Sequence, residues 1–92
     1  MSMTVFVPGA LRADSEGQST IQVTGAETLR DVFDGLAVRY PRLERRVRDE
    51  AGQLRRYINV FIDSDECRVL SGQDTKLRDG VEIRVLPSVA GG

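Results

Sequence analysis

The chain closes on Leu86-Pro87-Ser88-Val89-Ala90-Gly91-Gly92, and the two final glycines make the Gly92 carboxylate the first group to consider for chemistry. Glycine has no Cβ, so a diglycine tail can enter a narrow site and take backbone conformations closed to other residues. A partner enzyme can thread such a tail to its active centre and present the carboxylate to ATP, which activates it as an acyl adenylate. The activated carbonyl can then accept sulfur, an amine or a thiol. A frayed, glycine-ended terminus without chemistry has the same composition, so the remainder of the chain must separate the two.

Two absences remove most other chemistries. The 92 residues include no histidine and one cysteine, Cys67. A zinc site needs several Cys or His ligands, and a Ser-His or Cys-His nucleophile needs the imidazole; no metal site is expected. One cysteine forms no internal disulfide, and Met1 to Val7 lacks a basic segment followed by a long apolar one, so a cytoplasmic location is expected. The longest apolar stretch, Tyr57 to Ile62, is interrupted by Asn59 and is far short of the ~20 residues that span a bilayer. With 40% hydrophobic and 29% charged residues and a formal net charge of -1, the chain has the composition of one soluble globular domain, residues 1–92, with a single modest core.

The tail needs a body to carry it. Met3 to Val7 reads as a strand ended by Pro8-Gly9, Ser19 to Val23 as a second, and Ala10 to Gln18 as a polar loop between them. Thr28, with Asp31 three residues on, is a capping-box variant. Leu29, Val32, Phe33, Leu36 and Tyr40 follow at helical spacing, and Pro41 closes that helix. Leu43 and Val47 suggest a short further turn before a loop over Asp49 to Arg56. Tyr57 to Asp63 is the clearest strand, Cys67 to Leu70 a short one, and Val81 to Leu86 the last, entered through Asp79-Gly80.

Because side chains alternate across a strand, Val5, Val7, Ile58, Val60, Ile62, Ile83 and Val85 should face the helix. The other face then carries Thr4, Phe6, Tyr57, Asn59, Phe61, Glu82, Arg84 and Leu86. Phe6, Phe61 and Leu86 are large apolar groups on three strands. If the strands are neighbours they form an exposed patch of the kind that marks a partner site; alternatively the loop Ala10 to Gln18 folds over and buries part of it.

The strand order, the Asp-Gly turn into the last strand and the final Leu86-Pro87-Ser88-Val89-Ala90-Gly91-Gly92 resemble the MoaD/ThiS sulfur-carrier family from Met3 to Gly92. Within it, the ending and Arg56-Tyr57-Ile58-Asn59-Val60 are most similar to the actinobacterial carriers of cysteine biosynthesis. The resemblance implies an α+β, ubiquitin-like β-grasp fold: a mixed sheet with one main helix on one face, Met3–Val7 beside Val81–Leu86 in the middle, and a flexible tail over 87–92. It implies that an E1-like enzyme uses ATP and magnesium to adenylate Gly92, with Gly91 beside it, and that sulfur addition gives a thiocarboxylate. The chain is then a protein co-substrate, not an enzyme, monomeric when free and holding no cofactor of its own. Phe6, Phe61 and Leu86, with tail residues Pro87, Val89 and Ala90, are the expected contacts for the E1-like enzyme and for a sulfur-accepting biosynthetic enzyme. A cysteine synthase-like acceptor is favoured over molybdopterin, thiamin or thiosugar enzymes, and a metal-dependent peptidase is a further implied partner. Six residues from Pro87 to Gly92 reach roughly 20 Å when extended.

Two features stand outside that picture. Arg39, Arg42, Arg45, Arg46, Arg48, Arg55 and Arg56 outnumber Glu44, Asp49 and Glu50, whereas the rest of the chain is acidic. Without interleaved aromatics this reads as a solvated helix end, or as steering toward an acidic partner surface, rather than a nucleic-acid site. Cys67, between Glu66 and Arg68, reads as a small strand residue rather than a sulfur acceptor. Two other classes share the tail or the shape: a ubiquitin-like modifier joined to lysines of other proteins, and a β-grasp interaction module. Lys76 is the only lysine, which limits self-conjugation.

Overall fold

The alternating apolar residues of the first segment form β1 (Ser2–Phe6), which pairs antiparallel with β2 (Thr20–Thr24). Two helices follow, α1 (Leu29–Arg39) and α2 (Pro41–Val47), then β3 (Ile58–Ile62), the two-residue β4 (Asp65–Glu66) and β5 (Glu82–Pro87). These bounds come from a computed structural model, which describes residues 1–88. The sheet order is β2-β1-β5-β3-β4. Among the described residues only β1 and β5 run parallel; β5 pairs antiparallel with β3 on its other side. As expected, the first strand lies beside the last, with β5 central, and the arrangement is a ubiquitin-like β-grasp.

Every residue assigned to the helix-facing side of the sheet is buried: Val5, Val7, Ile58, Val60, Ile62, Ile83 and Val85. Across from them, Leu29, Val32, Phe33 and Leu36 of α1 are buried to 1% exposure or less. Burying side chains of this size contributes about 1.5–3 kcal/mol each. The start of α1 is the expected capping box: Thr28 Oγ1 accepts from the Asp31 amide at 3.3 Å, and Asp31 Oδ2 accepts from the amides of Thr28 and Glu27 at 3.1 and 3.0 Å.

Those amides, Glu27 first, hold the Asp31 carboxyl below its ordinary value of 3.8. A lowered folded-state pKa gives stability that is present above the unfolded value and disappears as pH falls through the folded one. The stability gap between the protein and its Asp31→Asn variant is therefore expected to be full at neutral pH and to close as the pH falls past the ordinary carboxyl value of 3.8, as measured by denaturant titration. A gap independent of pH would show that the carboxylate charge plays no part in the cap.

Three segments depart from the sequence expectation. Gly9–Ser15, read as loop, is a 3-10 segment that buries Leu11 and Ser15, the Ser15 hydroxyl donating to the Gln18 carbonyl at 2.7 Å. Leu43 and Val47 belong to a full seven-residue helix, because Pro41 both ends α1 and occupies the first turn of α2, where its missing N–H costs nothing. Cys67–Val69 is a 3-10 turn rather than a strand: the Glu66 carboxylate accepts from the Arg68 amide at 2.8 Å and bends the chain away from β3. At Asp79-Gly80 the turn is as read, with Gly80 at φ 82 and its amide donating to Ser2 at 2.7 Å. No helix among the described residues is long and apolar enough to cross a membrane.

Candidate functional site

The tail springs from the end of β5. Antiparallel pairing of β3 with β5 places Ile58 opposite Pro87 and Asn59 opposite Leu86. One residue further, the Ser88 amide donates to the Tyr57 carbonyl, and at the far end of the pair the Asp63 amide donates to the Glu82 carbonyl. Bonded and non-bonded pairs alternate in such a ladder. Ile58–Pro87 is thus a non-bonded pair, and the absent proline N–H leaves no gap in the ladder with β3. On its other side β5 is paired with β1 only as far as Arg84, so no acceptor there is deprived either. This corrects the tail boundary expected at Pro87: Pro87 is the last strand residue, and Ser88 is tethered to β3. Val89, Ala90, Gly91 and Gly92, the remaining expected site residues, lie outside the described residues.

The three apolar groups expected on the outer face are all there. Leu86 is 43% exposed, and Phe6 and Phe61 are half-buried. They do not fuse into one apolar surface, because register puts Arg84 opposite both Phe6 on β1 and Phe61 on β3. The Arg84 guanidinium stacks 4.3 Å from the centroid of the Phe6 ring and pairs with Glu82 at 2.8 Å. A cation over an aromatic face is worth about 0.5–1 kcal/mol at exposed sites, so the arginine is part of the surface and not a passing neighbour. Alternation had put Arg84 on this face; its place between the two rings follows only from strand order.

The segment 10–18 does not cover the face. It turns to the other side of the sheet, where Leu11 joins the core and the 3-10 segment packs on α2. Only Arg12 comes back to the rim, its Nε donating to the Val7 carbonyl at 3.1 Å. The result is a groove of about 380 Å³ bordered by Phe6, Pro8, Arg12, Thr20, Arg84 and Leu86, immediately beside the tail root. Arg12 had no sequence signal of this role.

Phe61→Ala is expected to weaken binding to a tail-activating partner by about 1–4 kcal/mol, the usual loss for an aromatic anchor. The loss in folding stability should be smaller, since the ring is only half-buried. Calorimetric affinity and a denaturant melt on the same sample test this; unchanged affinity, or a variant that mainly unfolds, would remove Phe61 from the surface.

The two outlying features resolve differently. Cys67 is fully buried, and its thiol is pushed up to about 11, first by desolvation and then by the adjacent Glu66 carboxylate. It is protonated at neutral pH and shielded, unsuited to accept sulfur. The basic segment is not uniformly solvated. Arg48 is 6% exposed, donating to Glu44 at 2.8 Å, Gln73 at 3.1 Å and Asp34 at 3.0 Å, with its guanidinium 5.7 Å from the Phe33 ring centroid. It thus ties α1, α2 and the 3-10 turn Gly72–Asp74 together. Arg39, Arg42, Arg45, Arg46 and Arg56 are exposed, as a solvated segment requires. Among the described residues no three His, Cys, Asp or Glu side chains are grouped to hold a metal ion.

Comparison with known proteins agrees with this geometry. The ThiS family model matches residues 5–92. The sulfur carrier protein CysO of Mycobacterium tuberculosis is 33% identical over 94 aligned residues, covering 100% of both chains. The Amycolatopsis orientalis BexX/CysO complex contains a chain that superposes with a TM-score of 0.87 at 29% identity, over 98% of this chain and 99% of that one. The small archaeal modifier protein 1 of Methanosarcina acetivorans superposes with a TM-score of 0.85 at 30% identity, over 99% and 96%. A family match over nearly the whole length, on a β-grasp body whose central strand leads into the diglycine ending, places the chain in the ThiS family, with similarity throughout to sulfur carrier proteins of the CysO type.

Proposed function

We propose that this protein carries sulfur as a thiocarboxylate on Gly92. The observation that carries the reading is the full-length similarity to sulfur carrier proteins, which extends to residue 92. In the first step a Gly92 carboxylate oxygen attacks the α-phosphorus of ATP in an E1-like enzyme; magnesium balances the phosphate charge and pyrophosphate leaves. Sulfide sulfur then attacks the acyl carbon, AMP leaves, and the product is the C-terminal thiocarboxylate. The protein supplies no catalytic group. It supplies a docked body and a reach: the four residues beyond Ser88 extend about 14 Å, enough to present the carboxylate inside a partner while Phe6, Phe61 and Leu86 stay on its surface.

A bound, nucleophilic sulfur can be passed in a shielded pocket, where free sulfide would be lost to solvent. The favoured acceptor is a cysteine synthase-like enzyme, by similarity to CysO; a metal-dependent peptidase releases product that stays joined to Gly92. ATP–pyrophosphate exchange by the E1-like enzyme of the same genome tests the activation step. Exchange that depends on this protein is expected, and its absence would reduce the chain to a binding module.

The likeness to a small archaeal modifier protein favours a second reading, in which the same adenylate is passed to lysines of other proteins. Lys76, exposed and the only lysine of the chain, is then the one site for self-attachment.

A further inference from the structure

Charge is distributed along β5 in one direction. Beside its first residue lie Glu82 itself, paired with Arg84 at 2.8 Å, Asp63, whose Oδ1 accepts from the Glu82 amide at 3.1 Å and whose Oδ2 pairs with Arg78 at 3.5 Å, and Asp79, which accepts from the Ser2 amide at 2.7 Å. At its other end, where the tail leaves, Arg12 stands on the β1 side and Arg56 on the β3 side, one residue before the Tyr57 carbonyl that tethers Ser88. Both are exposed, and among the described residues neither has a carboxylate oxygen within 4.0 Å. Each borders a groove next to the tail root: about 380 Å³ beside Leu86 for Arg12, and about 430 Å³ with Leu54, Tyr57 and, beyond ion-pair distance, Asp49 for Arg56. Arg12 gives its Nε to the Val7 carbonyl, and with no carboxylate partner in ion-pair geometry both guanidiniums are placed to meet an incoming carboxylate in a fork geometry.

We propose that Arg12 and Arg56 form a cationic collar around the tail root, which docks on a carboxylate-bearing rim at the mouth of the partner channel that receives the tail. This rests on the reading that a partner takes the tail, and adds the chemistry of the surface it meets. The collar lies at the root, about 14 Å of extended chain from Gly92, so its counterpart is the rim and not the phosphates at the reacting centre. Nucleic acid is the poorer fit, since the net charge is -1 and the far end of β5 is acidic. With the positive end carrying the tail, an acidic mouth orients the molecule tail-first before contact, which acts mainly on the association rate.

The test is stopped-flow association of the full chain with the E1-like enzyme of the same genome, comparing the wild type with the Arg12→Glu/Arg56→Glu double variant. Because Arg12 also bonds the Val7 carbonyl, Arg12→Gln/Arg56→Gln is run beside it with a thermal melt of each. Arg78→Glu, at the acidic end, controls for net charge. Charge reversal is expected to slow association at least 10-fold at low salt, glutamine substitution by less, and Arg78→Glu by under 2-fold. The differences should shrink as ionic strength rises from about 0.01 M to about 1 M, where the Debye length falls from ~30 to ~3 Å. Association unaffected by reversal, an effect independent of salt, or one equalled by Arg78→Glu would overturn the collar.

Thiocarboxylate formation by the wild type is read separately. Sulfur loading with collar-indifferent association keeps the carrier function and rejects the collar. Collar-dependent association without sulfur does the reverse, and no association rejects both.

Discussion

Deletion of Gly92 is expected to abolish adenylation and sulfur loading while leaving the melting curve unchanged. Removing one residue retracts the carboxylate by about 3.5 Å, and a displacement of even 1 Å at a reacting centre can cost ~100-fold in rate. The structure sharpens the expectation. With Pro87 in the sheet and Ser88 tethered to Tyr57, the body cannot release slack to restore the lost reach without breaking the end of the β3–β5 ladder. Alanine at Gly91 or Gly92 keeps the length and adds a Cβ, so it should fold normally and be activated severely more slowly if the partner channel fits only glycine. Single-turnover adenylation of the three variants measures this. Wild-type rates from the shortened chain would mean that the tail is not held at its root.

The second large effect concerns the body. Arg48→Met is expected to destabilise the fold by about 3–5 kcal/mol, the usual cost of removing one partner from a buried ion pair. Glu44, 8% exposed, loses its guanidinium partner, and the Gln73 side-chain carbonyl oxygen loses its donor. Domains of this size have only about 5–15 kcal/mol in total, and each 1 kcal/mol moves the melting point by roughly 4–8 °C, so the variant should melt well below the wild type. Glu44→Leu added to Arg48→Met removes the orphaned carboxylate and should recover part of the loss, which a double-mutant cycle by denaturant titration reads as coupling. A loss below about 1 kcal/mol would instead class Arg48 with the exposed pairs of the surface.

What could be read from sequence, and what could not, divides by the range of the interaction. The inner face of the sheet was legible because Val5 and Val7, Ile58, Val60 and Ile62, and Ile83 and Val85 keep period two against a single core. The start of α1 was legible because Thr28 and Asp31 are three residues apart. The Gly9–Ser15 segment was not, since its 3-10 form depends on Leu11 reaching a core built by other elements. Arg48 was hidden among seven arginines: its i,i+4 relation to Glu44 was visible, but Asp34 and Gln73 lie 14 and 25 residues away. The position of Arg84 between Phe6 and Phe61 needs the parallel β1–β5 pairing, and the tail boundary needs the Ser88–Tyr57 bond, neither of which leaves a local pattern. Pro87, which reads as a breaker, is tolerated because it falls at a non-bonded position.

The most direct test of the sulfur-carrier account is the intact mass of the full chain after incubation with the E1-like enzyme of the same genome, ATP, magnesium and sulfide. The account predicts a gain equal to sulfur replacing one oxygen, traced by fragmentation to Gly92 and absent without ATP. Adenylation without sulfur incorporation, with the chain recovered instead on lysines of other proteins, would contradict it.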